Sequence, residues 1–63
     1  MIDEADLDVK MYYDRSPEPL WCAVRVEHIP TGMYEICDDS RHGLTNRGIA
    51  IRRLEARLRD AAG

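Results

Sequence analysis

The sequence predicts a small α+β domain, in which a three-stranded, mainly antiparallel sheet is followed by one C-terminal helix packed on one face (β-β-β-α). Three observations predict this fold. Two segments alternate apolar and polar residues with the period of a strand, a Pro-Thr-Gly turn precedes a third short segment, and the last third repeats apolar residues at helical spacing. The 63 residues suffice for one small core. We expect a flexible segment at residues 1–5 and a single domain over residues 6–63.

The three strands are predicted from alternation and from the turns between them. Leu7, Val9 and Met11 alternate with charged residues in the first strand. Residues 14–19 contain two prolines, which remove backbone donors and predict a loop. Residues 21–29 predict the second strand, and Met33–Cys37 predicts a third that pairs with the second as a hairpin across Pro30-Thr31-Gly32.

An amphipathic helix is predicted over residues 46–61, with Thr45 or Asn46 as its N-cap. Ile49 lies opposite the apolar stripe on a helical wheel. It is therefore either a tolerated exposed residue or part of a protein-contact surface. The stripe consists of Ala50, Ile51, Leu54, Leu58 and Ala61.

Charge is distributed unevenly along a chain whose net charge is -3. Residues 1–40 hold ten acids and three bases, whereas residues 41–63 hold six arginines and two acids. The acidic whole disfavours non-specific nucleic-acid binding, but the basic end could contact phosphates. No apolar run approaches the roughly 18 residues that cross a bilayer, and the acidic N-terminal region does not resemble a signal peptide. We therefore expect a cytoplasmic protein with free thiols and no membrane partner.

Two thiols and two imidazoles invite a zinc interpretation. Their spacing lacks the short Cys-x(2–4)-Cys pair of most structural zinc sites. We therefore expect no metal and no cofactor. The four residues are Cys22, His28, Cys37 and His42.

Residues 23–32 read AVRVEHIPTG. This run resembles a stretch of the catalytic domain of bacterial class I peptide chain release factors, and the similarity continues at the family's spacing through the loop before the helix. The helix itself, residues 50–58, is similar to the family pattern A-x(3)-L-x-A-R-L, and residues 6–12 are similar to its D-L-x-[IV] strand. The matching loop residues are Cys37, Asp39, Arg41, Asn46 and Arg47.

The resemblance implies a Gly-Gly-Gln motif between the first two strands, where its glutamine would position water against the peptidyl-tRNA ester. Residues 14–22 here read DRSPEPLWC, and the sequence contains no glutamine. We therefore expect no ester hydrolysis and no catalytic residue. The resemblance also implies that Cys37 occupies an apolar position, whereas a third strand with Tyr34 and Ile36 inward would turn Cys37 outward. The facing of that strand, and with it a Cys22–Cys37 bridge, stays open.

Two functions follow from these patterns. The first is a non-catalytic release-factor-like domain that binds ribosomal RNA or the ribosome through its basic C-terminal helix. The second is a protein-interaction module, as a homodimer or with another protein, of the short kind that phages encode. Its candidate contacts are Leu20, Trp21 and Ile49. The candidate RNA-binding residues of the first are Arg25, Arg41, Arg47, Arg52, Arg53 and Arg59.

Overall fold

The computed structural model describes residues 3–13 and 22–62. Within them, a 3-10 turn at Glu4–Asp6 leads into strands β1 (Leu7–Tyr13), β2 (Cys22–His28) and β3 (Met33–Cys37) and then into helix α1 (Gly43–Ala62). Strand β2 lies at the centre and pairs antiparallel with both neighbours. The predicted α+β fold and its β-β-β-α order are confirmed. The predicted loop, with Leu20 and Trp21, lies outside the described residues.

The core forms between one face of the sheet and the apolar stripe of α1. Alternate residues of β2 are buried, as period-two pleating requires when one face of a strand is covered. Helix α1 places Ala50 and Leu54, spaced by one turn, against them with no exposed surface. The buried apolar residues are Cys22, Val24, Val26, Cys37, Ala50 and Leu54.

The third strand turns Cys37 inward, which answers the question that the sequence left open. Cys37 is buried, whereas Tyr34 and Ile36 are 47% and 53% exposed on the other face. Glu35 shares the inner side with Cys37 because the two are two residues apart in the strand, and its carboxylate accepts a hydrogen bond from Arg57 at the edge of α1. Both cysteines are buried and free, so no bridge joins Cys22 to Cys37.

Helix α1 begins at Gly43, three residues before the predicted start. Asn46 is not an N-cap, because its side chain is fully buried and serves other elements. Its Nδ2 donates to the carbonyl oxygens of Cys22 (2.5 Å) and Ser40 (2.6 Å). Its Oδ1 accepts from the Ser40 amide (2.9 Å) and the Cys37 thiol (3.4 Å). One asparagine thus joins the start of β2, the end of β3 and the loop before α1.

The first turn of α1 approaches the sheet closely at Gly43. A Cβ added there would lie 2.8 Å from the Cys22 Sγ, well inside van der Waals contact. A residue without a side chain is therefore needed at this crossing. Together with Asn46, it fixes how the start of the helix sits over β2.

The turn between β2 and β3 is shaped by the Pro-Thr-Gly sequence. The His28 carbonyl accepts from the amides of Gly32 (2.8 Å) and Thr31 (3.2 Å). Gly32 adopts a φ of +74°, which glycine reaches without steric cost. The His28 Nδ1 and the Thr31 Oγ1 hydrogen-bond to each other at 2.9 Å. These motif residues therefore have a structural role in the hairpin.

Two smaller expectations concern Ile49 and the N-terminus. Ile49 is half-buried and packs against the core, so the expectation that it faces solvent was wrong. The contact face of α1 includes Asn46, one helical turn before Ile49, and so is wider than the stripe through Leu54 and Leu58. At the N-terminus, the Asp3 carboxylate accepts from the Ala5 amide at 3.0 Å. The flexible segment and the domain limits stay predictions.

Candidate nucleic-acid interface

Helix α1 distributes its arginines around three sides, because residues three or four apart share a face. Arg53 and Arg57 lie on the side toward β3 and the loop that follows it, as their partners there indicate. Arg47 lies on the side toward the N-terminal turn. Arg52 and Arg59 are both exposed, and their spacing places them together on the side opposite the core.

The arginines at the helix edges are held by acids. Arg53 Nη2 donates to Asp39 Oδ2 at 2.8 Å. This hydrogen bond, followed by the charge of the same carboxylate, raises the pKa of Arg53 above its ordinary value. Arg57 Nη1 donates to the Tyr34 carbonyl at 2.8 Å and to the Glu35 carboxylate. These contacts connect α1 to β3 along one edge.

Two further predicted residues are also paired, and one of them lies on the far side of the sheet. Arg47 Nη2 donates to Glu4 Oε1 at 3.3 Å. Arg25 lies on the sheet face opposite α1, where it pairs with Glu27 Oε1 at 3.0 Å and stacks over the Tyr34 ring at 4.5 Å from its centroid. The six predicted arginines therefore do not form one surface.

Three of the six predicted arginines are exposed and unpaired within the described part of the chain. The side chains of Arg41, Arg52 and Arg59 make no hydrogen bond or ion pair to another described residue. Arg52 and Arg59 are seven residues apart, which is two helical turns or about 10 Å along the axis. A guanidinium presents five donors in a planar fork that matches phosphate oxygens. We call these three residues the outer arginines.

The residues considered for other chemistry are used structurally or lie apart. The Cys37 thiol donates to Asn46 and the His28 ring bonds to Thr31, while His42 is exposed just before α1. Among residues 3–13 and 22–62, no three His, Cys, Asp or Glu side chains gather as a metal site would require. Nor does any described helix have the length and apolar character needed to cross a membrane.

Sequence reasoning missed the roles of two residues in this region. Asn46 belongs to the matched loop pattern, nine residues after Cys37, and this place was a signal of a contact with Cys37 rather than of a cap. Gly43 carried a weaker signal, because a lone glycine before a helix equally suits a flexible connection.

Comparison with known proteins finds local similarity to release factors, which supports a release-factor-like domain. The chain has local homology to peptide chain release factor 1: the protein of Magnetococcus marinus is 35% identical over an alignment of 65 positions, which covers 95% of this chain and 18% of the release factor. The release factors 1 of Chlamydia felis and Chlamydia abortus are each 49% identical over 39 residues, 62% of this chain and 11% of theirs. The chain thus spans less than a fifth of the length of these relatives.

Two other comparisons gave no match. No family model matches the chain, and no solved structure matches it.

Proposed function

We propose that this chain is a release-factor-like domain that binds RNA, in the setting of the ribosome, through the outer arginines and without hydrolysing an ester. The observation that carries the proposal is the exposed, unpaired state of Arg41, Arg52 and Arg59 in the described structure. Binding a phosphate there breaks no internal ion pair. Arg47, Arg53 and Arg57 would each have to leave a carboxylate first.

Electrostatics along α1 support the same surface. The first turn of α1 contains no acid, and Arg41 precedes it, so the positive end of the helix dipole adds to the charge of that side chain. Arg59 lies in the last turn, where its charge stabilises the helix but the negative end of the dipole does not attract phosphate, so the dipole supports phosphate binding at the Arg41 end. The homology to release factor 1, a protein named for its part in releasing peptide chains, supports the ribosomal setting.

Filter binding to ribosomal RNA over a salt series tests the proposed surface. Each phosphate contact contributes about 0.7–0.9 to the slope of log affinity against log salt, so Arg52→Gln and Arg59→Gln should each lower the slope by about one. Lys10→Gln is the control for overall charge, since it removes one exposed positive charge from the sheet face opposite α1, where Lys10 lies 3.9 Å from Asp8. Equal losses for Arg52→Gln and Lys10→Gln would show that only overall charge matters, and would contradict the proposal.

The absence of ester hydrolysis is a separate part of the proposal. The segment between β1 and β2 is internal to the chain, and neither Gly-Gly nor glutamine occurs in residues 14–21. A peptidyl-tRNA release assay on programmed ribosomes should give no release above the rate without protein, at any concentration of the chain. Measurable peptide release whose rate saturates with the concentration of the chain would contradict this part of the proposal. The RNA-binding part would still be tested separately by the salt series.

A further inference from the structure

The face of the sheet that points away from α1 is the basis of the inference. Strand register brings its residues into two rows that cross all three strands. The first row joins Asp8 to Glu27 and Tyr34. The second joins Lys10 to Arg25 and Ile36. Among the described residues, no element covers either row. We call this surface the open sheet face.

The two rows of the open sheet face carry opposite charges. The first row carries two acids and the second carries two bases, and each row ends in a large apolar or aromatic residue on β3. The face is therefore neutral, within a chain of net charge -3. Tyr34 and Ile36 are 47% and 53% exposed and lie side by side on β3, and aromatic residues such as tyrosine are enriched in protein contact surfaces.

We propose that the open sheet face binds a second copy of this chain, face to face, about a two-fold axis that runs across the strands between the two rows. This rotation lays β1 over β1, β2 over β2 and β3 over β3 while exchanging the rows. Asp8 of one copy then meets Lys10 of the other, Glu27 meets Arg25, and Tyr34 meets Ile36. A two-fold interface must be complementary to itself, and this pattern of charge satisfies that condition.

The contacts within one copy are compatible with this pairing. Arg25 and Glu27 are already 3.0 Å apart, and Lys10 and Asp8 are 3.9 Å apart, so the second copy would complete networks of four charges. Two sheets packed face to face keep their strands within about 30° of each other, which this axis allows. RNA is the less favoured occupant, because two carboxylates on the face would meet its phosphates.

Sedimentation equilibrium of the whole chain tests the proposal. The two rows hold six residues, against about 20–30 residues a side in a standard interface, so we expect weak association with a dissociation constant of about 0.1–1 mM. Ile36→Ser should weaken association about tenfold, and its exposed position leaves the core intact. A wild-type chain that stays monomeric to about 1 mM would overturn the proposal.

Paired charge variants test the orientation. Asp8→Lys with Glu27→Lys makes both rows positive, and Lys10→Glu with Arg25→Glu makes both rows negative. Each double variant should be monomeric alone, with circular dichroism confirming its fold, and the two should form a mixed dimer about tenfold tighter than the wild-type dimer.

The matched control carries the same charge change on another face. Arg52→Glu with Arg59→Glu has the net charge of the negative variant, but its substitutions lie on α1. Its open sheet face is unchanged, so it should self-associate as the wild-type chain does, but it should form no mixed dimer with the positive variant. A mixed dimer in this control would assign the association to net charge and overturn the proposal. The proposal would also be overturned if the wild-type chain is monomeric and Ile36→Ser abolishes its binding to RNA.

Discussion

Asn46 is the residue on which the loop, both ends of the hairpin and the helix depend. It satisfies four partners with one buried side chain, and no buried side-chain nitrogen or oxygen among the described residues lacks a partner. Buried polar groups of this kind are costly to leave half-satisfied. We infer that Asn46 is required for the fold, and that its place in the release-factor pattern reflects this.

Replacing Asn46 by alanine should therefore lower the free energy of unfolding by about 2–4 kcal/mol, because the Cys22 carbonyl and the Ser40 backbone would be left unpaired. Urea denaturation followed by circular dichroism measures it. Thr45→Ala, at an exposed neighbouring position, should change stability by no more than about 0.5 kcal/mol. Similar losses for the two variants would show that Asn46 is not the hub described.

The burial of Asn46 and its hydrogen bonds to other elements could not be predicted from the sequence. An asparagine just before an apolar stripe fits the pattern of an N-cap, and the local sequence does not say whether its side chain turns toward its own helix or toward the sheet. That choice depends on residues six to twenty-four positions away. The exposure of Arg52 and Arg59 could be predicted from the sequence, because a helical wheel places both side chains away from the apolar stripe.

At the scale of elements, the docking of α1 on the sheet depends on the close crossing at Gly43. Gly43→Ala should destabilise the protein by about 1–3 kcal/mol, since the new methyl group would press on the Cys22 Sγ, 2.8 Å away. Gly48 is the matched control within the same helix, because a Cβ there meets nothing within 4 Å. Gly48→Ala should stabilise by about 0.5–1 kcal/mol through helix propensity.

Thermal or urea unfolding of the two glycine variants compares them directly. Opposite signs would support the close crossing. Stabilisation by both substitutions would mean that the start of α1 can move away from β2 at little cost, which would contradict the packing described at Gly43.

The strands show what alternation can and cannot predict. The limits of β3 and its pairing with β2 followed from the turn and the apolar residues. Its facing did not, because Met33, Ile36 and Cys37 put apolar residues on both sides of a five-residue strand. In the structure the acid on the inner side, Glu35, accepts a hydrogen bond from Arg57 of α1, a contact that the strand's own sequence does not reveal.

For the molecule as a whole, the structure distinguishes two surfaces, the outer face of α1 and the open sheet face, which the amino-acid composition alone does not distinguish. The count of arginines predicted a basic helix. In the structure Arg47, Arg53 and Arg57 of that helix are paired with carboxylates. Arg25 is paired with Glu27 on the sheet face opposite the helix. What remains is an outer helix face carrying free arginines and an open sheet face with balanced charge. We propose the first for RNA and the second for another copy of the chain.

Co-sedimentation with purified ribosomes at low salt tests the central claim most directly. Our account predicts that the wild-type chain pellets with ribosomes, that Arg52→Gln with Arg59→Gln leaves most of it in the supernatant, and that Lys10→Gln behaves as wild type. A wild-type chain that stays in the supernatant at low salt would contradict the claim that this release-factor-like domain binds ribosomal RNA through the outer face of α1.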